Sequence, residues 1–292
     1  MRRWNNQIKT VLLLGALSAA FVGMGSALGA GYLYAFALLA MALNLGAYFF
    51  SDRLVLRLHG ARQVGPEEIP RLHEMVAELA RAMGIPKPRI LVIEDDHANA
   101  FATGRNPKRG AVAVTRGLVA LLTPRELRAV LAHELGHIRN RDVLVASVAA
   151  AMAAAVTYVA QALQVSALWG AHDDEQQEHE TTTGGLLLAL VAPLAATLVQ
   201  LGVSRVREFL ADERAAVISG DPLALASALE KLERGADLIH PSAPQPATAS
   251  LFIVNPLRAG GWVTNLFSTH PSTAQRVQQL LPLARKWQRV AA

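Results

Sequence analysis

The stretch AVLAHELGHIRNRDVLVAS, residues 129–147, places two histidines and a glutamate among alanines and leucines and then continues into an apolar segment. His133 and His137 are four residues apart, so on a helix their imidazoles lie about 40° apart around the axis and one turn along it. Both rings can therefore bind one ion. Glu134 lies about 100° around the helix from His133, where it can contact a water on that ion without taking a ligand position. The alternative is a pair of surface histidines beside an exposed glutamate.

Local signals place this stretch on a well-defined helix. In TPRE, residues 123–126, the threonine is a typical N-cap, the proline suits the first turn and the glutamate follows three residues after the cap. No breaker separates Pro124 from the apolar run that begins at Val143. The sequence therefore predicts one helix, or two nearly continuous ones, from Pro124 into a membrane. HExxH on such a helix is typical of zinc metalloproteases, in which the glutamate is the general base.

The residues upstream predict the rest of a small α+β domain. EEIPRLHEMVAELARAMG, residues 67–84, has apolar residues at helical spacing and a glycine as its stop. RILVIED (89–95) and AVAVT (111–115) are short β-branched runs that predict strands. A turn-rich segment that includes Asn99 lies between them.

The composition indicates a membrane protein. Only 17% of the 292 residues are charged, whereas soluble domains carry about 25%. Residues 10–51 contain no charge and are long enough, at about 1.5 Å per residue, to cross a hydrocarbon core of about 30 Å twice. Glycines divide this run, so a hairpin of two membrane helices is predicted. A cleaved signal peptide is the alternative, but its apolar part would be only about 7–15 residues long.

Two further apolar runs predict a second membrane hairpin. Residues 143–171 and 181–204 are uncharged, and the loop HDDEQQEHE (172–180) between them has five acidic residues and no basic one. Because short cytoplasmic segments collect lysine and arginine, both termini and both large polar segments are predicted to be cytoplasmic. The predicted divisions are a membrane hairpin (1–51), a first catalytic part (52–142), an inserted membrane hairpin (143–204) and a second catalytic part (205–292).

Charge and cysteine content narrow the classes of ligand. The chain has no cysteine, which excludes disulfides and thiolate ligands, so any metal must be held by nitrogen and oxygen. The net charge of +5 fits basic residues beside the anionic cytoplasmic leaflet of a lipid bilayer. No motif for reading bases is present. The predicted partners therefore include the bilayer and exclude nucleic acid.

A third metal ligand must be found elsewhere in the chain, because a catalytic zinc takes three protein ligands and leaves one position open. REFLAD, residues 207–212, offers Glu208, with Asp212 one helical turn further, where a carboxylate can orient a ligating imidazole. Taken alone, this spacing is weak evidence for a metal site, since most such pairs of carboxylates lie on solvated helix faces. The competing carboxylates are Glu180, Glu213, Glu230 and Glu233.

Four motifs together resemble a known family. They are AHELGHIRNRD (132–142), SRVREFLADERAA (204–216), NAFATG (99–104) and THPSTAQRVQQL (269–280), and they are similar to motifs of the HtpX family of bacterial membrane zinc metalloproteases and, more distantly, of the CAAX prenyl proteases. The resemblance implies a gluzincin-like α+β zinc protease domain on four transmembrane helices, facing the cytoplasm from the inner membrane. It also implies protein or peptide substrates, in particular damaged or misfolded membrane proteins.

The same resemblance implies roles for individual residues. It implies one Zn²⁺ per chain, held by His133, His137 and Glu208. Glu134 would be the general base. The oxyanion of the reaction needs a donor besides the metal, and the resemblance implies His270 for this role, with Arg276 nearby on the following helix.

Substrate binding and the rival function remain open at this level. The strand AVAVT is expected to accept an extended substrate at its edge, with Asn99 helping to hold the chain; an ordinary core strand is the alternative. Residues 239–268 have no assigned role. The rival function is a non-catalytic membrane scaffold or a transporter with an accidental motif. A transporter should carry ionisable or helix-breaking residues within its spans, and here only Pro193 and scattered glycines occur.

Overall fold

A computed structural model describes residues 30–154, 205–238, 246–254 and 271–291, together with some positions between 11 and 26. Its helices are α1 (Ala30–Leu58), α2 (Pro70–Met83), α3 (Arg116–Leu121), α4 (Pro124–Asn140), α5 (Asp142–Ala154), α6 (Arg205–Ser219), α7 (Pro222–Leu238) and α8 (Thr273–Ala291). Its strands are β1 (Arg62–Gln63), β2 (Arg89–Ile93), β3 (Ala100–Thr103) and β4 (Ala111–Thr115), and 3₁₀ turns lie at Pro107–Arg109 and Pro246–Leu251. The described part is thus mainly helical with one small sheet, as the sequence predicts.

The sheet has the strand order β1-β2-β4-β3. β2 and β4 are parallel, while β1 and β3 pair antiparallel with their neighbours. β4 therefore has a partner on each side, and all five of its residues are buried. The expectation that AVAVT offers its edge to a substrate is wrong, because both edges of that strand are already paired. The two outer strands of the sheet are β1 and β3.

Local sequence signals set the ends of the helices as predicted. α2 begins at Pro70 and ends at Met83, and its C-cap is Gly84, whose φ of 65° is the left-handed conformation that favours glycine. At the start of α4, the Thr123 side chain accepts from the N–H of Glu126 and the Glu126 side chain accepts from the N–H of Thr123. This capping box satisfies backbone donors that the first turn leaves without partners. α4 is the central helix and packs against α2, α6, α7 and β3.

The sequence predicts that α4 continues towards the membrane as one helix or as two nearly continuous ones. In the structure, a second helix begins two residues after α4 ends. α4 ends at Asn140, and Arg141 adopts a left-handed conformation with φ 61°. Its N–H donates to the carbonyls of His137 and Ile138, which closes the last turn. α5 then starts at Asp142. The break turns the chain without a loop, so Asp142 stays next to the end of α4.

α1 is the candidate membrane span within the described part of the chain. Gly31–Leu58 is 28 residues long and apolar enough to cross a bilayer, and only 6% of its most apolar window is buried. The Asn44 amide donates to the Ser18 hydroxyl at 2.6 Å and to the Leu14 carbonyl at 3.2 Å. The first predicted span therefore contacts α1. Most of the second predicted hairpin lies outside the described residues, so the four-span prediction stays a prediction.

α1 also continues beyond the predicted boundary at residue 51 and enters the polar part of the protein. Val55 and Leu56 are buried in an apolar cluster with Leu91 of β2 and Phe101 of β3. Asp52 lies 3.4 Å from the guanidinium of Arg89. The last two turns of α1 are thus part of the same core as the sheet.

Candidate metal centre

Two helices bring the predicted ligands together. His133, Glu134 and His137 project from α4, and Glu208 projects from α6, which packs directly against α4. His133 is 1% exposed and Glu208 is 5% exposed. Buried ionisable groups are costly unless they are paired or bind a metal, so this cluster requires a partner of opposite charge. Glu134 lines the same pocket as the other three.

The spacing of the three ligand groups fits a tetrahedral metal ion. The two imidazole Nε2 atoms of His133 and His137 are 3.1 Å apart. Nε2 of His133 lies 3.6 Å from Oε2 of Glu208, and Nε2 of His137 lies 3.6 Å from Oε1 of the same carboxylate. Ligand atoms about 2.0–2.1 Å from zinc at tetrahedral angles lie about 3.4 Å from each other. The donor set and its dimensions therefore fit zinc with three protein ligands.

A buried chain of hydrogen bonds supports His133 from behind. Its Nδ1 lies 2.9 Å from Oδ1 of Asp212. Asp212 in turn accepts two hydrogen bonds from the guanidinium of Arg276, at 2.6 and 2.8 Å. Burial raises the pKa of Asp212, but the charge and hydrogen bonds of Arg276 outweigh burial and hold it below its usual range. Asp212 therefore stays ionised and fixes the orientation of the imidazole.

Electrostatics around His133 and Glu134 favour a bound cation. Burial lowers the pKa of His133, but the negative charge of Asp212 and the hydrogen bonds that the ring donates to Asp212 and Glu208 raise it to about 9. A ring that attracts a proton so strongly lies in a negative potential. Burial raises the pKa of Glu134, and the neighbouring histidines oppose this rise. A carboxylate with a raised pKa is better suited to accept a proton near neutral pH.

Asp142 is a site residue that the sequence analysis missed. Its carboxylate lies 3.4 Å from Nδ1 of His137 and 3.8 Å from the guanidinium of Arg207. It stands to His137 as Asp212 stands to His133, so each imidazole has a carboxylate on its second nitrogen. In the sequence, the sign of this role is an aspartate that follows the second histidine by five residues. Only the left-handed turn at Arg141 shows that this spacing returns Asp142 to the ring.

The other predicted site residues are Arg276, Asn99 and His270. Arg276 is 2% exposed and lies behind Asp212 rather than free in the pocket. Asn99 is fully buried and binds the main chain of Val254. His270 lies outside the described residues, and so does most of residues 239–268.

Known proteins resemble this chain over most of its length. Residues 66–284 match the sequence profile of Peptidase family M48. A protease HtpX homolog of Persephonella marina is 48% identical over 284 residues, which cover 96% of this chain and 98% of that protein. A protease HtpX homolog of Sulfurihydrogenibium sp. is 48% identical over 291 residues, which cover 97% and 98%. The crystal structure of S. mikatae Ste24p aligns with a TM-score of 0.49 at 18% identity, covering 95% of this chain and 66% of that one.

The family profile spans three quarters of the chain, and the relatives extend over nearly all of it. The match includes both helices that carry the ligand cluster. The resemblance to the HtpX family is therefore confirmed over nearly the whole length rather than at single motifs. The chain belongs to peptidase family M48, alongside the HtpX proteases, and is a metalloprotease.

Proposed function

We propose that this protein is a zinc-dependent endopeptidase that uses Glu134 as its general base. The observation that carries the proposal is the grouping of His133, His137 and Glu208, whose ligand atoms all lie within 4.8 Å of one another, with Glu134 in the same pocket. Imidazole and carboxylate ligands suit zinc. Bound zinc would lower the pKa of a coordinated water towards about 7 and polarise the peptide carbonyl.

The protein's own residues supply the remaining chemistry. Glu134 takes the proton of the attacking water and delivers it to the leaving amide nitrogen. Asp212 and Asp142 hold the two imidazoles in the tautomer that leaves each Nε2 lone pair for the metal. His270 donates a hydrogen bond to the developing oxyanion. The catalytic unit consists of residues 52–142 and 205–292, with the hairpin 143–204 inserted between them.

Metal removal tests the proposal. The purified chain should contain one zinc per molecule and cleave a fluorescein-labelled, unfolded casein. A chelator should abolish cleavage because it removes the group that activates the water, and stoichiometric zinc should restore it. Metal analysis and the rate of casein cleavage are measured on the same samples. Cleavage that persists in protein shown to be free of zinc and other divalent metals would contradict the proposal.

The length of α1 and its aromatic residues support a location in the membrane. Tyr32 and Tyr34 lie near one end of this helix and Tyr48 and Phe50 lie further along it, all exposed. Their separations correspond to about 21–27 Å along the axis, close to a hydrocarbon thickness of about 30 Å, and such aromatic residues favour the two membrane interfaces. We infer an integral protein of the bacterial inner membrane.

The position of the metal pocket next to the membrane helices supports membrane proteins as substrates. Val143 and Ala146 of α5 line the pocket. One turn further, Val148 and Met152 of α5 belong to a cluster with Leu43 of α1. The pocket thus lies where the membrane helices enter the catalytic part. Damaged or misfolded membrane proteins would present cleavable segments at this level.

Cysteine labelling tests the proposed orientation, since the chain has no cysteine of its own. A cysteine at Gln176 in the acidic loop should react with an impermeant thiol reagent added outside the cytoplasmic membrane. A cysteine at Glu230, an exposed position on α7, should react only after the membrane is opened. These results are expected because lysine and arginine flank the cytoplasmic ends of membrane helices. The reverse pattern would refute the orientation.

A further inference from the structure

A groove between α6 and α8 is separate from the metal pocket, with which it shares no lining residue. Its volume is about 340 Å³. Its walls are mainly apolar and come from the first turns of α6 and the middle of α8: they include Val206, Phe209, Leu210, Leu280 and Leu283. Val206 is 65% exposed. An open apolar groove of this kind is a typical place for an apolar partner.

The direction of α8 brings one end of the groove next to the membrane. Arg276, near the start of α8, donates to Asp212 at 2.6 and 2.8 Å. From this pair, Leu283 lies about 11 Å further along α8, and Val206 lies about 9 Å back along α6. Because both line the groove, α8 runs antiparallel to α6, and its later residues approach the start of α6. α6 directly follows the uncharged run 181–204, which is the predicted fourth span.

The membrane end of the groove carries positive charge. Arg205 is the first residue of α6, and Lys286 lies about one turn beyond the last lining residue of α8. Both side chains are exposed. α8 contains no acidic residue. The two acidic residues that line the groove, Asp212 and Glu213, lie about two turns along α6 from its start, so the cations and the carboxylates are at opposite ends.

We propose that the face of α6 and α8 around this groove docks on an anionic lipid surface, with Arg205 and Lys286 on lipid phosphates. The apolar lining residues would lie at the boundary between headgroups and acyl chains, where amphipathic helices bury their apolar faces about 5–10 Å deep. Lysine and arginine beside a membrane helix attract anionic lipids. The inference rests on the proposed membrane location. It goes beyond the proposed reaction, because neither cation lines the metal pocket.

A fluorescent label on the groove face tests the inference, since the chain has no cysteine of its own. Gln279→Cys places a nitrobenzoxadiazole label in the groove, and Gln278→Cys places it on an exposed side chain of α8 that does not line the groove. The zinc-loaded full chain, with Glu134→Gln present so that no cleavage occurs, is put into nanodiscs that contain a lipid with a nitroxide on its headgroup. The discs are phosphatidylcholine alone or its mixtures with phosphatidylglycerol.

The nitroxide should quench the label at position 279 strongly and the label at position 278 weakly. Quenching at position 279 should rise with the fraction of phosphatidylglycerol, because the cations favour anionic headgroups. Lys286→Gln should raise the fraction needed for half-maximal quenching about 5-fold, which corresponds to the about 1 kcal/mol that one basic residue contributes at such a surface. Arg205→Gln should have a similar effect.

The matched control is Arg285→Gln, which removes the same charge one residue away. Arg285 is exposed but lies about 160° around the helix from Leu283, so its replacement should change the half-maximal fraction much less. Val206→Asp is a second test of the face itself. It changes an exposed residue and should reduce quenching at position 279 to the level seen without phosphatidylglycerol, while circular dichroism and zinc content stay unchanged.

Three results would overturn the inference: equal quenching at positions 278 and 279, quenching that ignores phosphatidylglycerol, or equal effects of Lys286→Gln and Arg285→Gln. Shielding of the label at position 279 that depends on protein concentration instead of lipid would mean that a second copy of the chain occupies the groove, and would also overturn it. A chain that does not enter the discs would refute the proposed membrane location, and the lipid-docking face with it.

Discussion

Replacing Glu134 by glutamine should leave zinc bound and lower the rate of peptide hydrolysis at least about 100-fold, the lower end of what general acid–base catalysis contributes. The ligands His133, His137 and Glu208 are untouched by this change. Glutamine has nearly the same shape as glutamate but cannot take the proton of the attacking water. Burial raises the pKa of Glu134, and the neutral amide costs less to bury than an ionised carboxylate does.

The matched control is Glu126→Gln on the same helix. Glu126 is also buried, but it accepts hydrogen bonds from Thr123, Ser227 and Lys231 at the start of α4. Its replacement should lower the free energy of unfolding while leaving kcat per folded molecule close to that of the unmodified protein. Zinc content, thermal stability and casein cleavage are measured on both variants. Near-normal cleavage by zinc-loaded Glu134→Gln would show that another group is the base.

Local signals in the sequence predicted the elements that carry the chemistry. The capping box at Thr123 fixes where α4 begins, and the four-residue spacing of His133 and His137 then places both rings on one face. Glycine at position 84 similarly fixes where α2 ends. These predictions succeed because each depends on residues within one or two turns of each other. The pairing of Glu208 with these histidines spans some seventy residues and came from the family resemblance.

The errors concern contacts between distant segments. β4 reads as a short apolar run, and such a run cannot show whether the strand is central or at an edge, because pairing is decided by neighbours elsewhere in the chain. The missed role of Asp142 depends on the left-handed conformation of Arg141, a residue type that rarely adopts it. The hydrogen bond from the Asn99 amide to the carbonyl of Val254 joins residues 155 positions apart. No periodicity or motif in the sequence encodes it.

Replacing Glu208 by alanine should remove zinc and activity together. Within the described residues, His133, His137 and Glu208 are the group whose ligand atoms all lie within 4.8 Å of one another. Two imidazoles alone leave the ion without the third ligand that a catalytic zinc site requires. We expect the folded variant to contain less than stoichiometric zinc and to cleave casein at least about 100-fold more slowly, since metal activation of the water is lost.

Glu213→Ala is the matched control because it removes a carboxylate from the same helix at a different angle. Glu213 is five residues after Glu208, about 140° around the helix, and its side chain is exposed. It should keep zinc and activity. Of the other competitors, Glu230 is exposed on α7, and Glu180 lies outside the described residues in the loop predicted to face away from the cytoplasm. Circular dichroism establishes that Glu208→Ala is folded before its metal is measured. Stoichiometric zinc and full activity in that folded variant would place the third ligand elsewhere, whereas loss in both variants would point to a general effect on α6.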